Sequence, residues 1–334
     1  RLKLLPGIRF SLFTGKDYNY FKPEPRISAS YSIMEDLALK ASYVRMNQYV
    51  HLLSNTGLGL PTDLWVPSVT NVPPQESWQL AAGIAKDFID PDISLTIEGY
   101  YKEGNNILGY KEGASFIMFN DPSEATRFDW TSNVTSGFGK AYGAELFIQK
   151  KSGLFTGWIG YTLSWVIHQF DDVNNGVAFF GKYDRRHDIS IVLNYRITPK
   201  LNLSCVWVYS TGNPITIPLS TSYSYSYNEG IDQNQGQGVG YSQYTYEYEG
   251  KNSFRAAPYH RLDFGAQFID QVTIFKHKVE RVIDLSIYNA YSRKNPFFYY
   301  WDQEYNEADG SSKHVLKQLS LFPIIPSLSL SYKF

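Results

Sequence analysis

The 334-residue sequence predicts an all-β protein, a transmembrane antiparallel up-and-down β-barrel with about twelve strands in this chain. Three observations predict this fold class. Apolar and polar residues alternate with a period of two over many short runs. The connections between these runs are alternately short and long. Aromatic residues make up 16% of the chain, and many of them stand where an apolar strand face ends.

The alternation is clearest in the last eight residues. Leu328, Leu330, Tyr332 and Phe334 occupy one face there, and three serines with Lys333 occupy the other. Successive side chains of a strand point to opposite faces, so such runs predict strands with one apolar and one polar face. The predicted strands lie near 4–14, 21–33, 36–48, 77–87, 92–104, 139–150, 154–166, 185–197, 200–210, 259–270, 279–290 and 313–334.

The connections between the predicted strands fall into two classes. Short connections contain turn residues, as at 34–36, 89–91, 151–153 and 198–200. Long connections lie near 49–76, 105–138, 167–184, 211–258 and 291–312. Because outer-membrane barrels have short periplasmic turns and longer extracellular loops, we expect the first strand to ascend from the periplasm and the last to return to it.

Strand length and aromatic placement agree with a membrane barrel. A strand of about ten residues, with a rise of roughly 3.3 Å and a tilt of about 45°, covers roughly 23 Å of bilayer. Rings such as Tyr43, Tyr101, Trp165 and Tyr209 are expected at the water–lipid interfaces. A soluble β-sandwich with the apolar face inside is the alternative. Twelve strands with such regular loop asymmetry favour the membrane barrel.

Composition excludes several function classes. A net charge of −1 gives no basic field for nucleic acid, and the single cysteine, Cys205, excludes a disulfide scaffold. The sequence contains no run of about 20 apolar residues and opens with no signal peptide. The six histidines lack metal-ligand spacing, and 171–176 resembles a calcium loop without the required glutamate. With no nucleophile–base motif either, we predict no enzyme, no cofactor and no metal site.

Aromatic residues in the long connections are the candidate ligand or partner contacts. The connection 211–258 alternates tyrosine with polar residues on both sides of a Gln/Gly-rich segment, which predicts a projecting hairpin with a tyrosine stripe. Such a stripe either packs on neighbouring loops or forms a binding platform. The candidates are Tyr223, Tyr225, Tyr227, Tyr244, Tyr246, Trp65, Tyr299, Tyr300 and Trp301. The last three fit an interface belt equally well.

A dense group of charges at the top of one descending strand is predicted to face the lumen. Asp184, Arg186 and Asp188 alternate with residues on the opposite face, and Arg261 and Asp263 form a similar pair on a later strand. We interpret these residues as a polar wall that forms cross-strand ion pairs or contacts a plug.

Several segments resemble TonB-dependent outer-membrane receptors of Bacteroidota. The segment from Leu321 to Ser327, followed by an alternating strand that ends in Phe334, resembles the closing strand of these barrels. Further similarities lie at 51–55 with 60–65, at 183–188, and at 289–297. The group that the chain resembles carries an N-terminal carboxypeptidase-like regulatory domain and is related to the starch-utilisation (SusC-like) transporters.

The resemblance implies a partial receptor. Family members have a 22-stranded barrel, an N-terminal plug and a TonB-binding segment, and this chain resembles only the last twelve strands. Residues 1–334 are therefore expected to be the C-terminal part of the barrel, without the plug and the first strands. A self-closed twelve-stranded barrel is the alternative, because an open sheet in lipid leaves costly unpaired backbone groups.

The implied function is TonB-dependent import of a scarce or bulky nutrient across the outer membrane. In that case the implied partners are the TonB complex acting through the missing plug, outer-membrane lipid, a nutrient ligand and a surface lipoprotein lid. The alternatives are a passive twelve-stranded porin and a barrel that anchors a surface complex. Glycan, peptide, siderophore and corrinoid ligands all fit a tyrosine-rich cup.

Overall fold

The structure is a computed structural model that describes residues 1–54, 63–112, 129–227, 240–275, 277–305, 310 and 312–333. For residue 54 and for 220–227 and 240–246 it describes the backbone alone. Of the helices in the described residues, none is long and apolar enough to cross a membrane.

Twelve long strands form the main sheet, in the order in which they follow one another along the chain. Each pairs antiparallel with its neighbour, and a short strand at Phe179–Phe180 pairs with His168 and Ile167 at the end of one of them. The sheet strands are β1 (Leu2–Thr14), β2 (Asn19–Met34), β3 (Leu37–Gln48), β6 (Gln75–Phe88), β7 (Ile93–Tyr110), β8 (Val134–Lys150), β9 (Phe155–Gln169), β10 (Phe179–Phe180), β11 (His187–Thr198), β12 (Leu201–Ser210), β17 (Tyr259–Ile274), β18 (His277–Tyr288) and β21 (Ile325–Lys333).

The remaining strands pair within the long connections and form small hairpins there. β4 pairs with β5, β13 with β16, β14 with β15, and β19 with β20. Their bounds are β4 (Val50–Ser54), β5 (Asp63–Pro67), β13 (Pro214–Ile215), β14 (Pro218–Tyr227), β15 (Gly240–Tyr248), β16 (Phe254–Arg255), β19 (Phe298–Tyr305) and β20 (Ser312–Leu319). Two short 3₁₀ helices lie at Trp130–Asn133 and Asn174–Gly176.

The predicted all-β up-and-down fold is confirmed, and each of the first eleven predicted strands corresponds to one strand of the sheet. The twelfth prediction, 313–334, is wrong in extent, because it joins β20 to β21. The predicted loop at 291–312 likewise contains β19. Pro323 and Pro326 lie between or at the start of these strands, and proline lacks the N–H that a continuous ladder needs.

The two faces of the sheet differ as the alternation predicts. Strand register places Ile27, Tyr43, Leu80, Tyr101 and Trp165 in one row across the sheet, with Tyr142 between the last two. Neighbouring rings stack along this face: Tyr101 and Tyr142 have centroids 6.3 Å apart, and Tyr142 and Trp165 have centroids 5.2 Å apart. A band of exposed apolar side chains edged by aromatic rings is the surface that a lipid-facing barrel wall presents.

One cluster of buried apolar residues lies where the loops meet the end of the sheet. Leu53, Val66, Val72 and Val134 form a small cluster between the β4–β5 hairpin and the start of β8. His51 is fully buried beside this cluster and its Nε2 lies 2.8 Å from the Ser68 hydroxyl. The outer loops therefore have packing of their own, which holds the β4–β5 hairpin against the wall.

The two ends of the sheet are unpaired with each other. β1 pairs with β2 and β21 with β18, and no pairing joins β1 to β21 among the residues that the structure describes. A self-closed twelve-stranded barrel requires that pairing. The twelve strands therefore form an open wall.

Candidate ligand cavity between the outer loops

The long connections meet at one end of the wall around a cavity of 1120 Å³. Five of them contribute, so that residues more than 200 positions apart in the chain share one space. The β3–β6 connection supplies Leu52, and the end of β7 leads into Lys111 and Glu112. The lining includes Gln48, Leu52, Tyr110, Lys111, Glu112, His168, Phe170, Asn174, Phe179, Lys182, Tyr183, Thr216, Pro218, Tyr248, Glu249, Lys251, Asn252 and Trp301.

Asn174 ties three of these loops together. Its backbone N–H donates to Glu112 Oε1 at 2.7 Å, and its side-chain oxygen accepts from the Lys251 N–H at 2.9 Å. Asn252, the next residue after Lys251, is almost fully buried and donates through Nδ2 to the Phe180 carbonyl at 2.7 Å. These bonds fix the backbone of 251–252 against the β7–β8 and β9–β11 connections.

A buried ion-pair network lies at the base of the same loops. Asp184 is 0% exposed, and its Oδ2 accepts from Arg255 Nη2 at 2.5 Å and lies 3.4 Å from Arg186 Nη2. Its Oδ1 accepts from the Val166 N–H at 2.7 Å. Arg255 also donates to the carbonyls of Asp184 and Gly212, at 2.8 and 2.9 Å. One carboxylate thus joins the β9–β11 connection to the β12–β17 connection.

Aromatic rings form one wall of the cavity. Phe170 and Phe179 stack with centroids 5.9 Å apart, and His168 meets both rings edge-on. Tyr248 and Trp301 lie on the other loops of the lining and are 53% and 40% exposed. Flat, accessible rings of this kind can stack on sugar rings, on aromatic groups or on the apolar part of a peptide.

Three lysines and two glutamates carry the charge of the lining. Lys182 Nζ lies 3.3 Å from Asp63 Oδ1 on β5. Burial lowers the pKa of the Lys251 ammonium below its ordinary value, and the nearby Glu112 carboxylate opposes that shift. The cavity therefore combines aromatic surfaces with a half-buried cation.

The structure brings one of the predicted contact residues, Trp301, to this cavity and places a second, Trp65, next to a lining residue. Trp301 lines it directly. Trp65 pairs with Leu52, which lines it, so both lie on one face of the β4–β5 hairpin. Tyr299 instead accepts a hydrogen bond from the Ala257 N–H, and Tyr300 packs on Phe298. Neither of the latter two is part of the described lining.

The predicted hairpin in 211–258 is confirmed as β14 and β15, with Tyr223 opposite Tyr244 and Thr221 opposite Tyr246. Pro218 and Tyr248, at the base of the hairpin, line the cavity. The side chains of Tyr223, Tyr225, Tyr227, Tyr244 and Tyr246 lie outside the described residues. Their role in binding stays a prediction.

Of the predicted row of Asp184, Arg186 and Asp188, only Asp188 lies within a strand, Asp184 and Arg186 form an ion pair, and the orientation of the row toward the lumen stays a prediction. β11 begins only at His187, so Asp184 and Arg186 precede the strand and do not follow its alternation. The Arg186 guanidinium lies 4.5 Å from the centroid of Trp165, a ring of the apolar face, whereas Asp188 accepts from the Ser210 hydroxyl at 2.6 Å. Arg185 takes the position beside Asp188, with its Nη1 donating to the same hydroxyl at 2.7 Å.

Arg261 and Asp263 form an ion pair within β17. The two side chains are 2.9 Å apart, and the Arg261 guanidinium lies 4.2 Å from the centroid of Tyr288. Asp263 also accepts from the Asn289 N–H at 2.9 Å, which joins the wall to the loop after β18. Contact of this pair with a plug stays a prediction.

Sequence reasoning missed most of the lining. Lys111, Glu112, Lys182 and Lys251 are ordinary loop residues in the sequence, separated by up to 140 positions. Only the long-loop assignment placed them at one end of the molecule, since loops on the same side of an up-and-down sheet are neighbours.

Comparison with known proteins gives a family for this architecture. Residues 1–290 match the family described as TonB dependent receptor-like, β-barrel. A sequence comparison with curated proteins finds no match.

Solved structures share the fold at low sequence identity. The ferripyoverdine receptor of the outer membrane of Pseudomonas aeruginosa aligns with a TM-score of 0.56 and 15% identity, over 100% of this chain and 36% of the receptor. The FrpB iron transporter from Neisseria meningitidis aligns with a TM-score of 0.56 and 13% identity, over 100% and 43%. The ferric preacinetobactin receptor of Acinetobacter baumannii aligns with a TM-score of 0.54 and 13% identity, over 100% and 40%.

The chain thus spans less than half the length of these three proteins, which are described as receptors or as an iron transporter. Its wall of antiparallel strands, its lipid-facing aromatic row and its long outer loops are those of an outer-membrane β-barrel. With the family match over 1–290, they identify the chain as a member of the TonB-dependent receptor β-barrel family.

Proposed function

We propose that residues 1–334 form the C-terminal part of the wall of a receptor that imports a scarce or bulky nutrient across the outer membrane in a TonB-dependent manner. In the complete receptor, further strands would close the wall and a plug would fill the lumen and engage the TonB complex. This chain contributes wall and capture loops.

The observation that carries this proposal is the cavity at the loop end of the open wall. A volume of 1120 Å³ accommodates a ligand larger than a simple nutrient ion. Five connections converge on it, and Asn174 and Asp184 cross-link three of them, which supports a preformed space. A preformed site lowers the entropic cost of capture.

Within the family, we assign the chain to the Bacteroidota receptors that carry a carboxypeptidase-like domain and are related to the SusC-like transporters. The segments at 183–188, 289–297 and 321–327 support it. In that group a surface lipoprotein lid is a further partner, and it would sit over the β14–β15 hairpin. Glycan, peptide, siderophore and corrinoid all stay candidate ligands, and two of the solved neighbours are receptors for ferripyoverdine and ferric preacinetobactin.

The test compares uptake by the complete receptor with and without a proton gradient. A deletion strain is first grown on a panel of single limiting nutrients, to find the one whose accumulation depends on the receptor. We expect that accumulation to fall to the deletion background when a protonophore is added. Accumulation that continues unchanged would indicate a passive pore and contradict the proposal.

The capture loops are tested by deleting 223–248. We expect the deletion to abolish uptake and any lipoprotein binding, while the outer-membrane level of the receptor stays unchanged, because the deletion leaves the twelve wall strands intact. Lys200→Met, in the turn between β11 and β12 at the opposite end, serves as the matched control with normal uptake. Unchanged uptake after the deletion would exclude a role for the hairpin.

A further inference from the structure

The β4–β5 hairpin has two faces with different surroundings. His51 and Leu53 alternate with Leu52 along β4, and His51 stands opposite Val66 on β5. On the first face His51 is 0% exposed, and Leu53 and Val66 belong to the apolar cluster between the hairpin and the start of β8. The other face carries Leu52, which lines the cavity. The packing of the buried face therefore holds one wall of the cavity in place.

His51 is a titratable group on the buried face of this hairpin. Its Nε2 lies 2.8 Å from the hydroxyl of Ser68, a residue that is also 0% exposed. The Ser68 N–H donates in turn to the Tyr49 carbonyl at 2.7 Å, which fixes the position of that hydroxyl. Burial lowers the pKa of the His51 imidazole below its ordinary value of 6.5, because the charged form would lose its hydration. The site therefore favours the neutral ring.

The acidic groups of the segments packed on His51 already have contacts of their own. The titratable groups of these segments are Asp63 on β5, Tyr110 and the adjoining Lys111 and Glu112 after β7, and Asp129 before β8. Asp63 forms an ion pair with Lys182, whereas Glu112 and Asp129 each accept from a backbone N–H in their loops. A proton gained by His51 would acquire a counter-charge only by displacing one of these contacts.

We propose that His51 makes the β4–β5 hairpin a pH-sensitive wall of the cavity, closed when the imidazole is neutral and loosened when it gains a proton. This inference goes beyond the proposed function, because it concerns how the cavity is held together and not what is imported.

The direction of the pH effect follows from burial. An open hairpin exposes the His51 imidazole to water, so the open form binds a proton more readily than the closed form. Opening is therefore constant well above pH 6.5, rises as the pH falls below about 6.5, and levels off below the lower pKa of the closed form. At pH 5.5 about ten of every eleven exposed imidazoles are protonated, so opening rises by up to about tenfold.

The experiment measures hydrogen exchange of the backbone amides at 64–66 in the complete receptor, in lipid nanodiscs at pH 7.5 and pH 5.5. After correction for intrinsic exchange rates, we expect opening of this segment to increase about fivefold to tenfold at pH 5.5. The wall strand β12 is the internal reference, and its protection should be the same at both pH values. An increase of less than twofold at 64–66 in the unmodified receptor would overturn the inference.

Three histidine variants test whether His51 is the group that titrates. His51→Gln retains a side chain that can bond to the Ser68 hydroxyl but cannot gain a charge, so opening at 64–66 should no longer depend on pH. His168→Gln replaces another histidine of the cavity lining, and His314→Gln replaces an exposed histidine of β20. Both should retain the increase. A pH response that persists in His51→Gln, or that disappears in either of the other variants, would overturn the inference.

The outcome is independent of the uptake test, since hydrogen exchange requires neither the nutrient nor a proton gradient. Exchange that responds to pH through His51, together with protonophore-insensitive uptake, would contradict energised import and support the pH-sensitive wall. Protonophore-sensitive uptake with exchange that ignores pH would support import and overturn the pH-sensitive wall.

Discussion

At the scale of single residues, Asp184 joins two of the outer loops. It is fully buried, and it accepts from Arg255, from the Val166 N–H and, at a longer distance, from Arg186. Removing one member of a buried ion pair leaves the other charge uncompensated, which costs more than the pair itself contributes. The cavity depends on this carboxylate because the two connections that it joins carry Lys182 and Lys251.

We expect Asp184→Asn to destabilise these loops by about 3 kcal/mol, the lower end of the range for buried pairs because both arginines keep some contact with solvent. Local opening should then rise about 100-fold. This rise in local opening is measured in the complete receptor by hydrogen exchange of the backbone amides at 181–186.

Asp171→Asn is the matched control, since Asp171 is an exposed acidic residue of the same connection. The exchange rates at 181–186 should be unaffected by it. If Asp184→Asn left those rates within a factor of three of the unmodified receptor, the carboxylate would not be what joins the two loops.

The residues around Asp184 also show why the sequence alone could not predict their side-chain contacts. Alternation predicts that Asp184, Arg186 and Asp188 share a face, but alternation holds only inside a strand. The chain leaves extended pairing between β10 and β11, and in that interval Arg186 turns onto the Trp165 ring while Arg185 reaches Asp188 and Ser210. The turn between β10 and β11 therefore determines that Arg185, and not the adjacent Arg186, faces the polar side.

At the scale of elements, the β19–β20 hairpin is held by an ion pair at its surface. Lys317 lies 2.7 Å from Asp302 and 3.2 Å from Glu304. The hydrogen bond from Lys317, with a second from the Gln303 N–H, lowers the pKa of Asp302 below its ordinary value of 3.8. Trp301 is the neighbour of Asp302, so the pair helps to keep that ring at the cavity.

A carboxyl group whose pKa is lower in the folded state stabilises that state when it is ionised. The contribution of Asp302 is therefore present above about pH 3.8 and is lost as the pH falls through the lower, folded-state pKa. We expect amide protection in 298–305 to fall in that window, after correction for intrinsic exchange rates. In Asp302→Asn, protection in this hairpin should be lower at neutral pH and nearly independent of pH below it.

If amide protection in 298–305 fell by the same amount and with the same midpoint pH in Asp302→Asn, the pH dependence would belong to another group. Asp270→Asn provides the comparison, since Asp270 pairs with Arg281 between β17 and β18, away from this hairpin, and should leave the profile of 298–305 unchanged.

The element scale also shows where sequence patterns succeed. The eleven strands predicted one for one consist of runs in which a period of two dominates, and β14–β15 was predicted from tyrosine alternation around a Gly/Gln turn. The pattern failed where a second antiparallel hairpin, β19–β20, alternates in the same way as the wall strand that follows it. Alternation indicates a strand, and it does not indicate which sheet the strand joins.

At the scale of the whole molecule, the open edges at β1 and β21 govern assembly. Each edge presents backbone N–H and C=O groups that pair with no strand among the residues that the structure describes, and in hydrocarbon each unpaired group costs several kcal/mol. A wall of this kind is stable in a bilayer only when other strands complete it.

We therefore expect residues 1–334 expressed alone to refold in detergent without forming a compact barrel, whereas the complete receptor forms one. Heat-modifiable mobility in electrophoresis distinguishes the two, because a closed barrel migrates as a compact species until it is boiled. The appearance of a compact, pore-forming monomer from 1–334 with β1 cross-linked to β21 through introduced cysteines would contradict this expectation and favour the self-closed barrel.

The sequence by itself determined the class of fold, the number of wall strands and the side on which the long loops lie, because these depend on local alternation and on turn residues that act within a few positions. Tertiary structure alone decided which loop residues meet. Lys251, Glu112, Asn174 and Trp301 come together only because strands neighbouring in the sheet deliver their loops to one end, and the Asp184 network then holds those loops at a fixed spacing. A local sequence pattern cannot predict these contacts, because they join positions far apart in the chain.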